Sequence, residues 1–71
     1  MPPAAVPTAA LLYWRTSRGL SQGQLARLAG VAPTSVWRGE HGWPLQPRTV
    51  AQLAEVLQVE PADLLAQPPE S

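Results

Sequence analysis

Residues 21–42 contain the run Ser21-Gln22-Gly23-Gln24-Leu25-Ala26, then Gly30-Val31, Val36 and Glu40-His41-Gly42. Ser21 and Gln24 have the three-residue spacing of a capping box at a helix start, and Gly30 stands where a left-handed glycine ends a helix. Pro33 suits the first position of a following helix, because the N–H that it lacks has no intrahelical partner there. The spacing therefore predicts two short helices around a tight turn, the second closed by an acid and a glycine.

The composition favours one small helical domain. The chain has 71 residues and no cysteine, so it has neither disulfides nor thiolate metal ligands. A chain of this size buries only about 60% of the surface of its unfolded form, which limits it to a single core. Phenylalanine and isoleucine are absent, whereas alanine and leucine are abundant, and this favours helices over strands.

Proline, glycine and apolar spacing predict three further helices. The first begins after Thr8, which we expect as its N-cap, presents Leu11 on its apolar face and ends at Gly19. The fourth and fifth helices are expected to begin at Pro47 and Pro61. The predicted fold class is therefore all-α, a compact domain of five helices with the helix-turn-helix at helices 2 and 3.

The predicted domain occupies residues 8–66. Three prolines within residues 1–7 predict a disordered N-terminal arm, and residues 67–71 are predicted to be a disordered tail. The longest apolar run, residues 9–14, is too short for a membrane span, and no basic cluster precedes it. We therefore expect a cytoplasmic protein without membrane contact.

The formal net charge is zero, but the charges are unevenly distributed. Residues 1–39 hold four arginines and no acid, whereas residues 40–71 hold one arginine against five acids. Such an asymmetry is typical of a protein with one face that meets phosphate, although it can also arise by chance in a short chain.

In type and spacing, the residues of the 21–42 stretch and of the predicted helices around it resemble the lambda-repressor-like helix-turn-helix domains of the Cro/Xre family. The resemblance spans roughly residues 11–65, and the matching positions are Arg15, Gly19-Leu20-Ser21-Gln22, Leu25-Ala26, Gly30-Val31, Val36, Glu40-x-Gly42, Thr49-Val50, Leu53-Ala54, Leu57 and Val59. The resemblance implies a DNA-binding domain whose recognition helix, residues 33–40, enters the major groove.

Site residues follow from the resemblance position by position. The implied DNA contacts are Ser21, Gln22, Pro33, Thr34, Ser35, Trp37 and Arg38, with His41, Trp43 and Arg48 against the backbone. Arg38 is the main candidate for base reading, because arginine binds guanine O6 and N7 through two hydrogen bonds; the alternative is an ordinary solvated arginine. Gln22 either binds phosphate or supports a side chain of the recognition helix. Thr34 and Ser35 either contact bases or are merely polar residues at a helix start.

The resemblance also implies an ion pair between Arg15 and Glu40 that ties the first helix to the recognition helix. The chain departs from the family at Gly39, where a large apolar residue is usual, so we expect a distorted helix end there. Trp37 either faces the DNA, which we favour, or turns inward to fill that space. We expect Trp43 to pack under its loop. Ala32 lacks a capping side chain, which costs about 1 kcal/mol.

The function expected from these features is a transcription regulator, a repressor that reads an inverted repeat as a homodimer on double-stranded DNA. Leu64 and Leu65 are the dimer candidates: adjacent residues cannot both face one core, so we expect the spare leucine to contact a second copy. The alternative for this leucine is a singly exposed side chain, which is common at protein surfaces. The alternative is a protein-interaction module, such as an antitoxin-like or adaptor domain. We expect no enzyme activity, cofactor or metal site, and a cytoplasmic, nucleoid-associated location.

Overall fold

The computed structural model describes residues 5–69, and within them the chain forms five α-helices. They are α1 Leu11–Ser17, α2 Gln22–Ala29, α3 Pro33–Glu40, α4 Pro47–Leu57 and α5 Pro61–Leu65. The extended structure in this range is an isolated antiparallel bridge between Val6 and Leu45. The predicted all-α fold of five helices is confirmed. No helix among residues 5–69 is both long enough and apolar enough to cross a membrane.

The helix ends of the helix-turn-helix follow the local sequence. The Ser21 hydroxyl accepts a hydrogen bond from the Gln24 backbone at 3.0 Å, and the Gln24 side chain accepts one from the Ser21 backbone at 2.8 Å. Gly30 ends α2 in the left-handed region with φ of 71°. Pro33 opens α3, and its N-cap Ala32 contributes no side-chain hydrogen bond. The predicted capping box and the predicted helix over residues 33–40 are therefore confirmed.

Thr8 does not cap α1 as predicted. The N-cap of α1 is Ala10, two residues later. The Thr8 side chain is instead buried and donates a hydrogen bond to the Gly39 carbonyl oxygen at 3.1 Å. This contact joins residues 31 positions apart, so helix-capping rules gave no signal of it.

The core lies where the five helices meet. Its largest fully buried side chains are Leu11, Leu25, Leu53, Leu57, Leu64, Val36 and Val50. The helix α2 packs against α3 and α4, while α5 packs against α4 and α1. Leu64 is fully buried within this core, so it is not available to a second copy of the chain. Of the two dimer candidates, Leu65 is therefore the one that stays exposed, at 39%, and its role in a dimer stays a prediction.

Val6, within the predicted arm, is paired with the loop between α3 and α4. Its N–H donates to the Leu45 carbonyl at 2.7 Å, and the Leu45 N–H donates back to the Val6 carbonyl at 2.7 Å. Residues 1–4 of the predicted arm and residues 70–71 of the predicted tail lie outside the described residues. The domain bounds 8–66 stay a prediction.

The end of α3 is closely packed rather than distorted at Gly39. A Cβ atom built on Gly39 would lie 2.8 Å from Leu11 Cδ2, 2.8 Å from Leu45 Cδ1 and 2.9 Å from Thr8 Oγ1. These side chains occupy the space that a large residue at position 39 would otherwise take. Trp37 therefore does not turn inward. Within the loop between α3 and α4, Leu45 is buried and Trp43 is 58% exposed. The predicted packing of Trp43 under the loop is therefore wrong.

Candidate nucleic-acid interface

One face of α3 carries a stripe of exposed side chains. Thr34, Trp37, Arg38 and His41 follow one another at the i, i+3, i+4, i+7 spacing that puts residues on a common helix face. The opposite face is buried through Val36 and Gly39. We call these four residues the α3 stripe. Pro33 is exposed at the start of the helix, while Ser35 is half-buried beside the stripe.

Two rings of the α3 stripe form a stacked pair. The ring centroids of Trp37 and His41 are 4.0 Å apart, and the planes differ by 16°. The His41 Nδ1 lies 2.8 Å from the Trp37 carbonyl oxygen, to which a protonated Nδ1 donates. The stack therefore presents one preorganised aromatic surface at the end of the helix. Aromatic pairs at i,i+4 are a known helix contact, so the spacing could have indicated this pair.

Arg38 lies beside the second exposed tryptophan. Its guanidinium carbon is 5.9 Å from the Trp43 ring centroid, within the range of a cation–π contact. The backbone N–H of Trp43 donates to the Arg38 carbonyl at 2.9 Å, which fixes the first residues of the loop against the helix end. The exposed indole of Trp43 therefore borders the side chain that we consider the main base reader.

An interhelical network holds the other side of α3. Arg15 forms an ion pair with Glu40, donating from Nε to Oε2 and from Nη2 to Oε1, the latter at 3.1 Å. The side chains of the pair are 13% and 4% exposed. Arg15 also donates to the Leu20 carbonyl at 2.7 Å, and the Gln22 amide donates to Glu40 Oε1 at 2.9 Å. Of the two roles implied for Gln22, the observed contact is therefore the one with a side chain of α3.

The hydrogen bond to Glu40 raises the pKa of the Arg15 guanidinium above its ordinary value. Burial opposes this shift, and the attraction of the carboxylate adds to it. Because the pKa is raised in the folded state, deprotonation of Arg15 removes this stabilisation only in strongly alkaline solution.

Two of the arginines bond to other parts of the protein, and three others are exposed at the surface. Arg15 is used by the ion pair, and Arg18 donates to the Leu57 carbonyl at 2.9 Å while its guanidinium lies over Trp14. The exposed arginines of the helix-turn-helix and the start of α4 are Arg27, Arg38 and Arg48. The exposed acids Glu55, Glu60 and Asp63 lie farther along, in α4, in the connection to α5 and in α5. Two of the four arginines in residues 1–39 are thus engaged in contacts within the protein, which leaves fewer of them to meet phosphate than the sequence count suggests.

Two of the predicted phosphate contacts, Ser21 and Arg48, stand at the starts of α2 and α4. Ser21 is exposed, and although its hydroxyl oxygen accepts from Gln24, its O–H is able to donate. Arg48 is the second residue of α4, beside the positive end of that helix. Among the described residues, no group of three or more histidine, cysteine or acidic side chains is close enough to hold a metal ion.

Comparison with known proteins identifies the fold. Residues 10–67 match the protein family described as a helix-turn-helix domain. The hypothetical transcription factor NHTF from Neisseria has a similar structure with a TM-score of 0.73 and 31% identity, over 96% of this chain and 90% of that chain. No curated protein matches the chain.

Two further solved structures are much longer proteins. A mutant of hydroxyethylphosphonate dioxygenase matches with a TM-score of 0.74 and 28% identity, over 94% of this chain. Native PhpD with cadmium atoms matches with a TM-score of 0.72 and 28% identity, also over 94%. The chain spans 15% of the length of each of these two proteins. Since the family match covers residues 10–67, the chain belongs to the helix-turn-helix domain family.

Proposed function

We propose that the chain is a DNA-binding transcription regulator of the lambda-repressor-like, Cro/Xre type, with α3 in the major groove. The observation that carries this proposal is the α3 stripe, which is solvent-exposed on a helix whose other side is held by Glu40. A recognition helix needs this combination, because its base-reading side chains must project from a backbone of fixed position.

Each contact of the proposed complex has a physical reason. Arg38 binds guanine O6 and N7 in the major groove, and Thr34 contacts a neighbouring base or a thymine methyl group. Ser21 and Arg48, each at the start of a helix, bind phosphate, because helix N-termini attract anions. Trp43 lies against the sugar–phosphate backbone at the edge of the groove.

We further propose that the protein acts as a homodimeric repressor on an inverted repeat. Two recognition helices related by a two-fold axis would lie about 34–36 Å apart, one turn of DNA. Leu65 is the leucine of α5 that is exposed and so able to contact a second copy. An inverted repeat in the selected DNA supports the dimer, whereas enrichment of a single half-site contradicts it.

Replacing Arg38 with alanine is expected to relax sequence preference at one base pair of each half-site. The expected loss of affinity for the selected site is about 5- to 150-fold, which corresponds to roughly 1–3 kcal/mol for a bidentate base contact. The measurement is selection from random duplex DNA at low salt, followed by binding titrations of the enriched sequence.

Arg27→Ala is the matched control for this experiment. Arg27 is also exposed, but it lies on α2 outside the α3 stripe. Its removal deletes the same charge, so the motif selected by this variant is expected to equal that of the wild type. If wild-type protein enriches no sequence, the proposed function is wrong. If Arg38→Ala selects the wild-type motif, Arg38 does not read bases.

A protein-interaction module is the second candidate function. The observation that favours it is the set of large apolar side chains at the surface, Leu12, Leu28, Trp37, Trp43 and Leu65. Tryptophan is common at the energetic centres of protein interfaces. The zero net charge of the chain also suits a protein partner better than DNA.

Salt dependence separates the two candidate functions. Binding to DNA releases counterions, so log K is expected to fall with log salt by about 0.9 per phosphate contacted. Arg48 is the arginine that the proposed complex places on phosphate, so a homodimer with two such contacts gives a slope of about −2. The measurement is fluorescence anisotropy with the selected duplex over a range of salt concentrations. A flat dependence contradicts a phosphate-driven complex.

A further inference from the structure

The last turn of α3 is supported by residues far from it in the chain. Gly39 has no side chain, and the adjacent space holds Leu45 from the loop and Thr8 from the segment before α1. Leu45 is 6% exposed and Thr8 is 2% exposed. The packing of this helix end is thus supplied from outside α3 rather than by its own residue 39.

Thr8 also satisfies a backbone group at the end of α3. The last four carbonyls of a helix have no intrahelical partner. If α3 were longer, the backbone N–H of Trp43 would donate to the Gly39 carbonyl. It instead donates to the Arg38 carbonyl at 2.9 Å. The Thr8 hydroxyl donates to the Gly39 carbonyl at 3.1 Å, and Thr8 and Gly39 are both buried.

The segment that carries Thr8 is itself held at its start. Two hydrogen bonds of 2.7 Å join Val6 to Leu45, and Val6 packs against the core. Val6, Thr8 and Leu45 therefore form one connected unit against the end of α3, which we call the arm clamp. Arg38 and the Trp37–His41 stack lie on the turn that this unit touches.

We propose that the arm clamp sets the position of the last turn of α3, and that Thr8 is a positioning residue for Arg38 and Trp43 in DNA recognition. The proposal rests on the proposed function. Its physical reason is that loss of the Thr8 hydroxyl leaves a buried carbonyl without a donor, and the helix end moves to regain a partner. Arg38 and Trp43 move with the helix end, because the backbone N–H of Trp43 is bonded to the Arg38 carbonyl.

The test compares Thr8→Val, which removes the hydroxyl at nearly constant shape, with Thr8→Ser, which keeps it. The readout is the set of three indole N–H signals in the ¹⁵N spectrum of the free protein. In Thr8→Val, the signals of Trp37 and Trp43 are expected to shift, whereas Trp14 is the internal control, because it lies on α1 and bonds to the Asp63 carbonyl. Thr8→Ser is expected to restore the wild-type spectrum. Equal shifts of all three signals, or no shift, overturn the proposal.

The second readout is affinity for the selected duplex at a temperature where circular dichroism shows each variant to be folded. Thr8→Val is expected to bind about tenfold more weakly, the factor that corresponds to roughly 1.4 kcal/mol, and Thr8→Ser to bind like the wild type. Wild-type affinity in Thr8→Val overturns the positioning role. Val6→Pro, which removes the N–H donated to Leu45, gives the same comparison if Thr8→Val does not fold.

The two proposals fail in different ways. If the wild-type protein binds no DNA, the proposed function and the positioning role in DNA recognition both fall. The indole signals still decide whether the arm clamp sets the position of the helix end. If the wild type binds DNA and Thr8→Val binds equally well, the proposed function stands and the positioning role of Thr8 is wrong.

Discussion

Arg15→Ala is expected to lower the free energy of unfolding by about 3–5 kcal/mol, the usual cost of removing one partner of a buried ion pair. Glu40, only 4% exposed, would keep a charge in the interior with the Gln22 amide as its remaining side-chain partner. The Leu20 carbonyl would lose its guanidinium donor as well. A large effect is expected because both the charge and the carbonyl lose their compensation in one substitution.

The expected cost of Arg15→Ala is comparable to the whole free energy of unfolding of a small domain. Domains of this length often have only about 3–5 kcal/mol from a single core, so Arg15→Ala is expected to be largely unfolded at 37 °C. The measurement is urea and thermal unfolding followed by far-ultraviolet circular dichroism. Specific DNA binding by this variant is expected to be lost through unfolding rather than through a change of base preference.

Arg18→Ala is the control on the same helix end. Arg18 is exposed and donates to a neutral carbonyl, so its removal is expected to cost about 0.5–1.5 kcal/mol. If Arg15→Ala melts at the wild-type temperature, the Arg15–Glu40 pair does not stabilise the fold as described.

Gly39→Leu is the second substitution with a large expected effect. It introduces the type of large apolar residue that the resemblance implies at this position, yet we expect it to destabilise the protein by about 1–3 kcal/mol or more. Even the first added carbon would lie within 3 Å of Leu11, Leu45 and Thr8. The gain in helix propensity over glycine, about 1 kcal/mol, does not offset the displacement of three buried side chains.

A compensating substitution makes this prediction specific. Leu45→Ala alone is expected to cost about 2–5 kcal/mol, because it leaves a cavity in the core. In the double variant the leucine side chain introduced at position 39 occupies part of that cavity, so the combined cost is expected to be smaller than the two single costs together by about 0.5–3 kcal/mol. The measurement is a double-mutant cycle of urea unfolding. Additive costs, or a Gly39→Leu variant as stable as the wild type, contradict the packing described for Gly39.

The starts of helices α2 to α5 could be predicted because their signals are local, whereas the predicted start of α1 was wrong. The Ser21–Gln24 capping box, the left-handed Gly30 and the prolines that open α3 to α5 act within a few residues. Backbone hydrogen bonding at a helix end involves neighbours in sequence, so local patterns fix it. The pair of Arg15 and Glu40, 25 positions apart, came instead from the resemblance to a known family.

The surroundings of Gly39 could not be predicted in the same way. The sequence predicted a distorted helix end at Gly39, an N-cap at Thr8 and a Trp43 side chain packed under its loop. Each of these three predictions is wrong. The side chains of Leu45 and Thr8 fill the space beside Gly39, and Trp43 remains at the surface. Which side chain fills a given volume depends on close packing among residues distant in the chain, so only the tertiary structure shows which side chains surround the end of α3.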